Sequence, residues 1–269
     1  MFLFLLCIYQ AEISWSCQPD IKLEVYGTPE ADVVFFFPHE DENLINAFLK
    51  DYAQKTPSIR LVFLRQMGQR NIWLKLGGIH FQVDPNRIYT RRGCLRTVVQ
   101  KNPPMKKALR SEAVEKALSL GQFILSQLDP VKILVACHNN ADGYFYDGKQ
   151  GWGSVSVVRY YENQLSCKPF DGVSFGFGDE DDLFWVTQKE DFQYLSDLHY
   201  HVVLENANSA TDPYLDDGSM SVYAAREGWR YFNVEAQQDL RGDHLDEEIQ
   251  MIRDLFMLLG LPQEVEIHK

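Results

Sequence analysis

The hydrophobic positions of this chain follow two different periods. Short apolar runs bounded by turn residues or charges lie at 21–26, 33–37, 61–64, 132–137, 155–158 and 231–234. They read as buried strands. A further strand-like stretch, 79–83, carries His80. Between some of these runs the apolar residues recur at helical spacing. Leu44, Ala47 and Phe48 do so in 43–52, and Ala113, Val114, Ala117, Leu118, Phe123, Ile124 and Leu128 in 111–128. Ile249, Ile252, Leu255, Phe256 and Leu259 do so in 247–259. Strands alternating with helices predict an α/β fold: a mixed, largely parallel sheet with helices on both faces. In such sheets ligands bind beyond the carboxyl ends of the strands, so site residues should follow strands.

No repeat or Gly/Ser/Pro-rich linker divides the 269 residues, so residues 18–269 are expected to form one domain. Residues 1–11, MFLFLLCIYQA, form an apolar run followed by Ser14-Trp15-Ser16-Cys17. The run has the length of a signal-peptide core and is too short to span a bilayer as a helix. Residues 1–17 are therefore expected to be an export leader, or one leading to a lipid-modified Cys17, with any membrane attachment through this end alone. The other open reading is the buried first strand of a cytoplasmic protein. A net charge of −12 argues against a nucleic-acid partner. The five cysteines include no CxxC pair, which disfavours a cysteine zinc site. Cys137, in an apolar run, reads as a core residue, and a Cys94–Cys167 disulfide is expected only in an oxidising compartment.

Candidate chemistry centres on histidines. His39 follows the run 33–37, and Glu42 comes three residues later. Zinc accepts imidazole nitrogen and carboxylate oxygen, and a catalytic site needs three protein ligands. His138 follows the run 132–137 and supplies the third. Taken alone, the His39-x-x-Glu42 pair reads as a helix-start carboxylate beside an unrelated histidine, and His138 reads equally as a buried core histidine. The strand-end placement of His39 and His138 favours one zinc ion. His199 and His201 form an H-x-H pair that strand alternation would put on one polar face.

In order along the chain, His39-x-x-Glu42, Asp84-Pro85-Asn86-Arg87, His138 and a late Glu235 resemble the zinc carboxypeptidase superfamily, including its succinylglutamate desuccinylase and aspartoacylase branch. The resemblance implies zinc ligation by His39, Glu42 and His138. It implies binding of a substrate carboxylate by Asn86 and Arg87, and a general base at Glu235, which ends Gly228-Trp229-Arg230-Tyr231-Phe232-Asn233-Val234-Glu235. Tyr223, just before that segment, is expected to line the pocket. Arg91 and Arg92 are candidates for added positive potential. Glu40 and Asp41 stand between the ligands where the better-known peptidases often carry an arginine, and only Asp84-Pro85 precedes the Asn-Arg pair.

The expected activity is zinc-dependent hydrolysis of an amide bond in a small peptide or N-acyl amino acid bearing a free carboxylate. The rival is a non-catalytic carboxylate- or peptide-binding protein on the same fold. If residues 1–17 are an export leader, mass spectrometry of the mature protein should find them removed; an intact Met1 would contradict export.

Overall fold

The computed structural model describes residues 10–128, 133–142, 153–167, 170–209, 211–240 and 242–263. The apolar run of residues 1–9 lies outside them. The first half of the chain forms β1 (Gln10–Ser14), β2 (Lys22–Gly27), β3 (Val33–Phe37), α1 (Asn46–Lys55), β4 (Ile59–Arg65), β5 (Ile72–Leu76) and β6 (Ile79–Val83). A 3-10 turn (Pro85–Arg87), α2 (Arg91–Lys101), α3 (Lys107–Leu128) and β7 (Ile133–Asn140) follow. The second half forms α4 (Val157–Cys167), β8 (Phe170–Ser174), β9 (Leu183–Val186), α5 (Lys189–Asp197) and β10 (His201–Glu205). It closes with α6 (Met220–Glu227), β11 (Arg230–Asp239), β12 (Gly242–Asp243) and α7 (Leu245–Leu258).

The main sheet has the order β1-β2-β4-β3-β7-β11-β9-β10-β8, with β12 paired on β11 and β5–β6 forming a separate ribbon. Its centre, β4-β3-β7-β11, is parallel. The flanks are mixed: β2 runs antiparallel to β4, and β9 antiparallel to β11 but parallel to β10. Alternate side chains of the central strands leave on opposite faces. Val34, Phe36, Leu134 and Ala136 pack with Ala113, Ala117 and Ile124 of α3 and with Met220 of α6. Phe35, Phe37, Val135 and Cys137 pack with Leu49 of α1 and with Ile252, Leu255 and Phe256 of α7. Helices thus cover both faces, as the strand-helix alternation predicts. All five residues of β3 are buried, the mark of a strand covered on both sides.

Gln10–Ser14 pairs with β2, and Trp15 is part of the core. Elsewhere expectations change. Residues 155–158 are not a strand: α4 begins at Val157. Ser156 sets that start, accepting from the Val158 amide through its hydroxyl (3.2 Å) and from the Tyr160 amide through its carbonyl (3.1 Å). A serine cap of this kind outweighs the β-propensity of two adjacent valines. His199 lies in a turn at φ 64°, so only His201 belongs to a strand. Cys94 is a free, buried thiol beside the Ile88 carbonyl, and burial pushes its pKa up to about 12. No helix among the described residues is long and apolar enough to cross a membrane.

Candidate metal centre and active site

β3 stops at Phe37, and the loop after it carries His39 and Glu42 over the carboxyl end of the parallel strands. α1 begins only at Asn46, so Glu42 is a buried loop residue and not a helix-start carboxylate. β7 runs three residues beyond Cys137, which places His138 on the strand itself. Nitrogen and oxygen atoms of His39, Glu42 and His138 lie within 4.8 Å of one another. The two imidazoles are 5.1 Å apart between centroids, and His138 Nδ1 is 2.8 Å from Glu42 Oε2.

His39 Nδ1 sits 2.9 Å from the Arg70 carbonyl. A carbonyl only accepts, so Nδ1 carries the proton and Nε2 keeps its lone pair. That Nε2 is buried without a hydrogen bond, with Asp84 Oδ1 3.7 Å away. Burial opposes the charged form of both histidines. It pushes His39 well below the ordinary range and His138 down to about 4. Both are therefore neutral near pH 7, the state in which imidazole binds a metal. Burial works against the charge of Asp84 too, but His39, Arg87 and Arg70 outweigh it and hold the carboxyl below its usual value. Two neutral imidazoles, one carboxylate and an orphaned buried nitrogen fit a zinc ion. The guanidinium of Arg70, from the loop between β4 and β5, rests against Glu42.

Glu235 enters from β11, in register with His138 on β7. It lies mid-strand, because β11 extends to Asp239. One of its oxygens accepts from Asn233 Nδ2 at 2.9 Å and the other from Asn140 Nδ2 at 3.4 Å. Asn140 also donates to the Asp181 carbonyl at 3.1 Å. Two amides therefore fix the carboxylate where it faces the histidines. Glu42, His138, Asn140, Asn233 and Glu235 open onto a cavity of about 340 Å³ that Asn86, Arg87, Tyr160 and Trp185 also line.

Arg87 Nη1 is 3.5 Å from Asp217 Oδ2 and donates to the Asn86 carbonyl at 3.2 Å. The turn holding Asp217 crosses the first turn of α2 closely: a Cβ on Gly93 would fall 2.3 Å from Gly218 Cα and 2.6 Å from the Arg87 carbonyl. No larger residue fits there without moving Arg87. Asn86 is partly committed to the scaffold, its Oδ1 accepting from the Met220 amide at 3.3 Å and its Nδ2 lying 3.4 Å from His138 Nε2.

Tyr223 does not line the cavity. Its ring packs on Trp229 and Tyr89 at centroid distances of 5.5 and 6.3 Å. Helix α6 turns Tyr223 towards the core and presents Ser219 and Ser221 to the cavity instead. Arg91 and Arg92 also lie elsewhere, in a groove between α2 and α3. The sequence does not single out Arg70, Asn233, Tyr160, Trp185 or Asp217. For Asn233 a signal existed: it is two residues from Glu235 on the same strand, hence on the same face.

A buried network supports the metal loop. Asn139 Oδ1 accepts from the Leu44 amide at 3.0 Å, and Asn139 Nδ2 donates to Glu248 Oε2 at 3.1 Å. Glu248, on α7, is fully buried, and burial raises its pKa to about 8. The network ties the backbone just after Glu42 to the strand residue beside His138.

No family model matches the chain, and no curated protein does. Solved structures with a similar chain path include a succinylglutamate desuccinylase from Chromobacterium violaceum, at 13% identity over 95% of this chain and 71% of that one, TM-score 0.45. The Gln46His variant of cell shape determinant Csd4 from Helicobacter pylori gives 14%, 97%, 57% and 0.43. This chain therefore spans little more than half of the Csd4 chain. An aspartoacylase family protein from Mesorhizobium loti gives 9%, 98%, 71% and 0.43.

Two outcomes are expected. His138→Ala should lose zinc by elemental analysis while keeping its fold; full zinc occupancy would refute the ligand assignment. Because the Glu248 pKa is raised, the stability this group contributes is full below its unfolded value and is lost as pH rises through about 8. Glu248→Gln should therefore melt close to wild type near about pH 5 and a few degrees above it near about pH 9. Melting profiles that run parallel across this range would contradict a neutral Glu248.

Proposed function

We propose that the chain is a zinc-dependent hydrolase that cleaves an amide bond in a small peptide or N-acyl amino acid carrying a free carboxylate. One observation carries the reading: Glu42, His138, Glu235 and Arg87 line one cavity, His138 stands in register with Glu235 on paired strands, and donor atoms of His39 lie within 4.8 Å of those of Glu42 and His138.

Zinc held by this set supplies Lewis-acid chemistry and a nucleophile near neutral pH. The remaining roles belong to the chain's own side chains. Glu235, fixed at both oxygens, takes the proton of the attacking water and returns it to the departing amine nitrogen. Arg87 offers a planar fork to the free carboxylate of the substrate, which would replace its contact with Asp217. Arg70 brings a cation to the metal side of the cavity, where it stabilises negative charge developing on the carbonyl oxygen. Tyr160 and Trp185 give the cavity an aromatic wall.

The contact between Arg70 and Glu42 favours a second reading, in which a guanidinium neutralises that carboxylate in a non-catalytic, carboxylate-binding protein. Metal content separates the two: stoichiometric zinc supports the hydrolase, and zinc-free protein that still binds an acyl amino acid supports the rival.

Glu235→Gln should keep its zinc and lower kcat by roughly 10²–10⁴-fold. Retained turnover would remove Glu235 as the base. Amidation of the substrate's carboxyl end should lower kcat/KM for the wild type and leave Arg87→Ala nearly indifferent. Equal sensitivity in both proteins would take carboxylate recognition away from Arg87.

A further inference from the structure

Outside the cleft, charge is distributed very unevenly. Residues 91–110 hold Arg91, Arg92, Arg96, Lys101, Lys106, Lys107 and Arg110 and no acid, in a chain of net charge −12. They span α2, the connection after it and the first turn of α3. Arg91 pairs with Glu115, while the other six cations make no ion pair among the described residues. Along α2, Arg92, Leu95, Arg96 and Val99 follow one another at helical i, i+3, i+4, i+7 spacing, so they share a face. Leu95 is 43% exposed and Val99 51%. The opposite face, Cys94, Thr97 and Val98, is buried. Beside this row runs a groove of about 480 Å³, between Arg92 and Leu95 of α2 and Lys107 and Arg110 of α3, with Val114 among its lining residues.

We propose that this face docks the protein on an anionic lipid bilayer. Two features select the partner. The unpaired cations suit a surface of lipid phosphates and attract it within a Debye length. Exposed Leu95 and Val99 set among those cations suit a partner with an apolar layer just below its charge, which a bilayer has and a polyphosphate lacks. The long basic side chains reach the headgroups while the two apolar ones enter the acyl boundary. Docking would hold the rest of the acidic chain away from the membrane and fix one orientation. The surface shares no residue with the metal site and stands whether or not the hydrolase reading does.

Co-sedimentation of the full chain tests it, with vesicles of phosphatidylcholine alone or mixed with phosphatidylglycerol, at about 0.1 M salt. Wild type should pellet with the anionic vesicles and remain in solution with the neutral ones. Arg92→Glu/Arg96→Glu/Lys107→Glu should weaken that partition at least about tenfold. Leu95→Ser/Val99→Ser should weaken it severalfold at unchanged net charge. Both variants should keep wild-type melting temperature, which shows that they fold. Failure of wild type to bind anionic vesicles overturns the proposal. So does binding that survives both variants, which would assign membrane contact to the apolar residues 1–9. Equal binding to polyglutamate or single-stranded DNA, insensitive to the Leu95/Val99 change, overturns it in favour of a general polyanion surface.

Discussion

Parallel pairing of β7 with β11 is the constraint on which the site depends. It sets His138 opposite Glu235, and β3 on the other side of β7 delivers His39 and Glu42 from its carboxyl end. A shift of one residue in the β7–β11 register would turn Glu235 to the far face and separate its carboxylate from His138 and the residues grouped with it. Burial on both faces makes such a slip costly. Val234 and Phe232 of β11, and Val135 and Cys137 of β7, would leave the layer formed by α1 and α7. The hydrophobic core therefore fixes the geometry of the chemistry directly.

The same burial prepares the electrostatics. Desolvation holds both histidines neutral, so their lone pairs are available without competition from protons near neutral pH. The carbonyl of Arg70 selects the His39 tautomer, and paired amides hold Glu235. Behind the cluster, the chain from Glu248 through Asn139 to Leu44 fixes the loop that carries Glu42. Such outer contacts orient ligands that a sequence motif names but cannot place.

What was legible in the sequence follows from where the signal is periodic. The run Val33–Phe37 is apolar throughout and bounded by Asp32 and Pro38, and its strand has those same limits. His39 and Glu42 were legible because strand ends mark sites in open α/β sheets, and His138 because it closes an apolar run, although its strand continues to Asn140. The mixed flanks were harder to read: β8, β9 and β10 are short, and β1 alternates within a segment that resembles a leader. Tyr223 was misplaced because its facing depends on where α6 begins, and Ser219 sets that start by capping the Val222 amide. Arg70 left no signal at all. It is one arginine in a polar loop, brought to Glu42 by the return of the chain from β4.

X-ray absorption at the zinc edge of the zinc-loaded protein decides whether two imidazoles and one carboxylate hold a single ion. The expected spectrum has a first shell of nitrogen and oxygen at about 2.0–2.1 Å, with the outer-shell scattering of two imidazole rings and no sulfur. Sulfur scattering near about 2.3 Å, or a shell without two imidazoles, would contradict it.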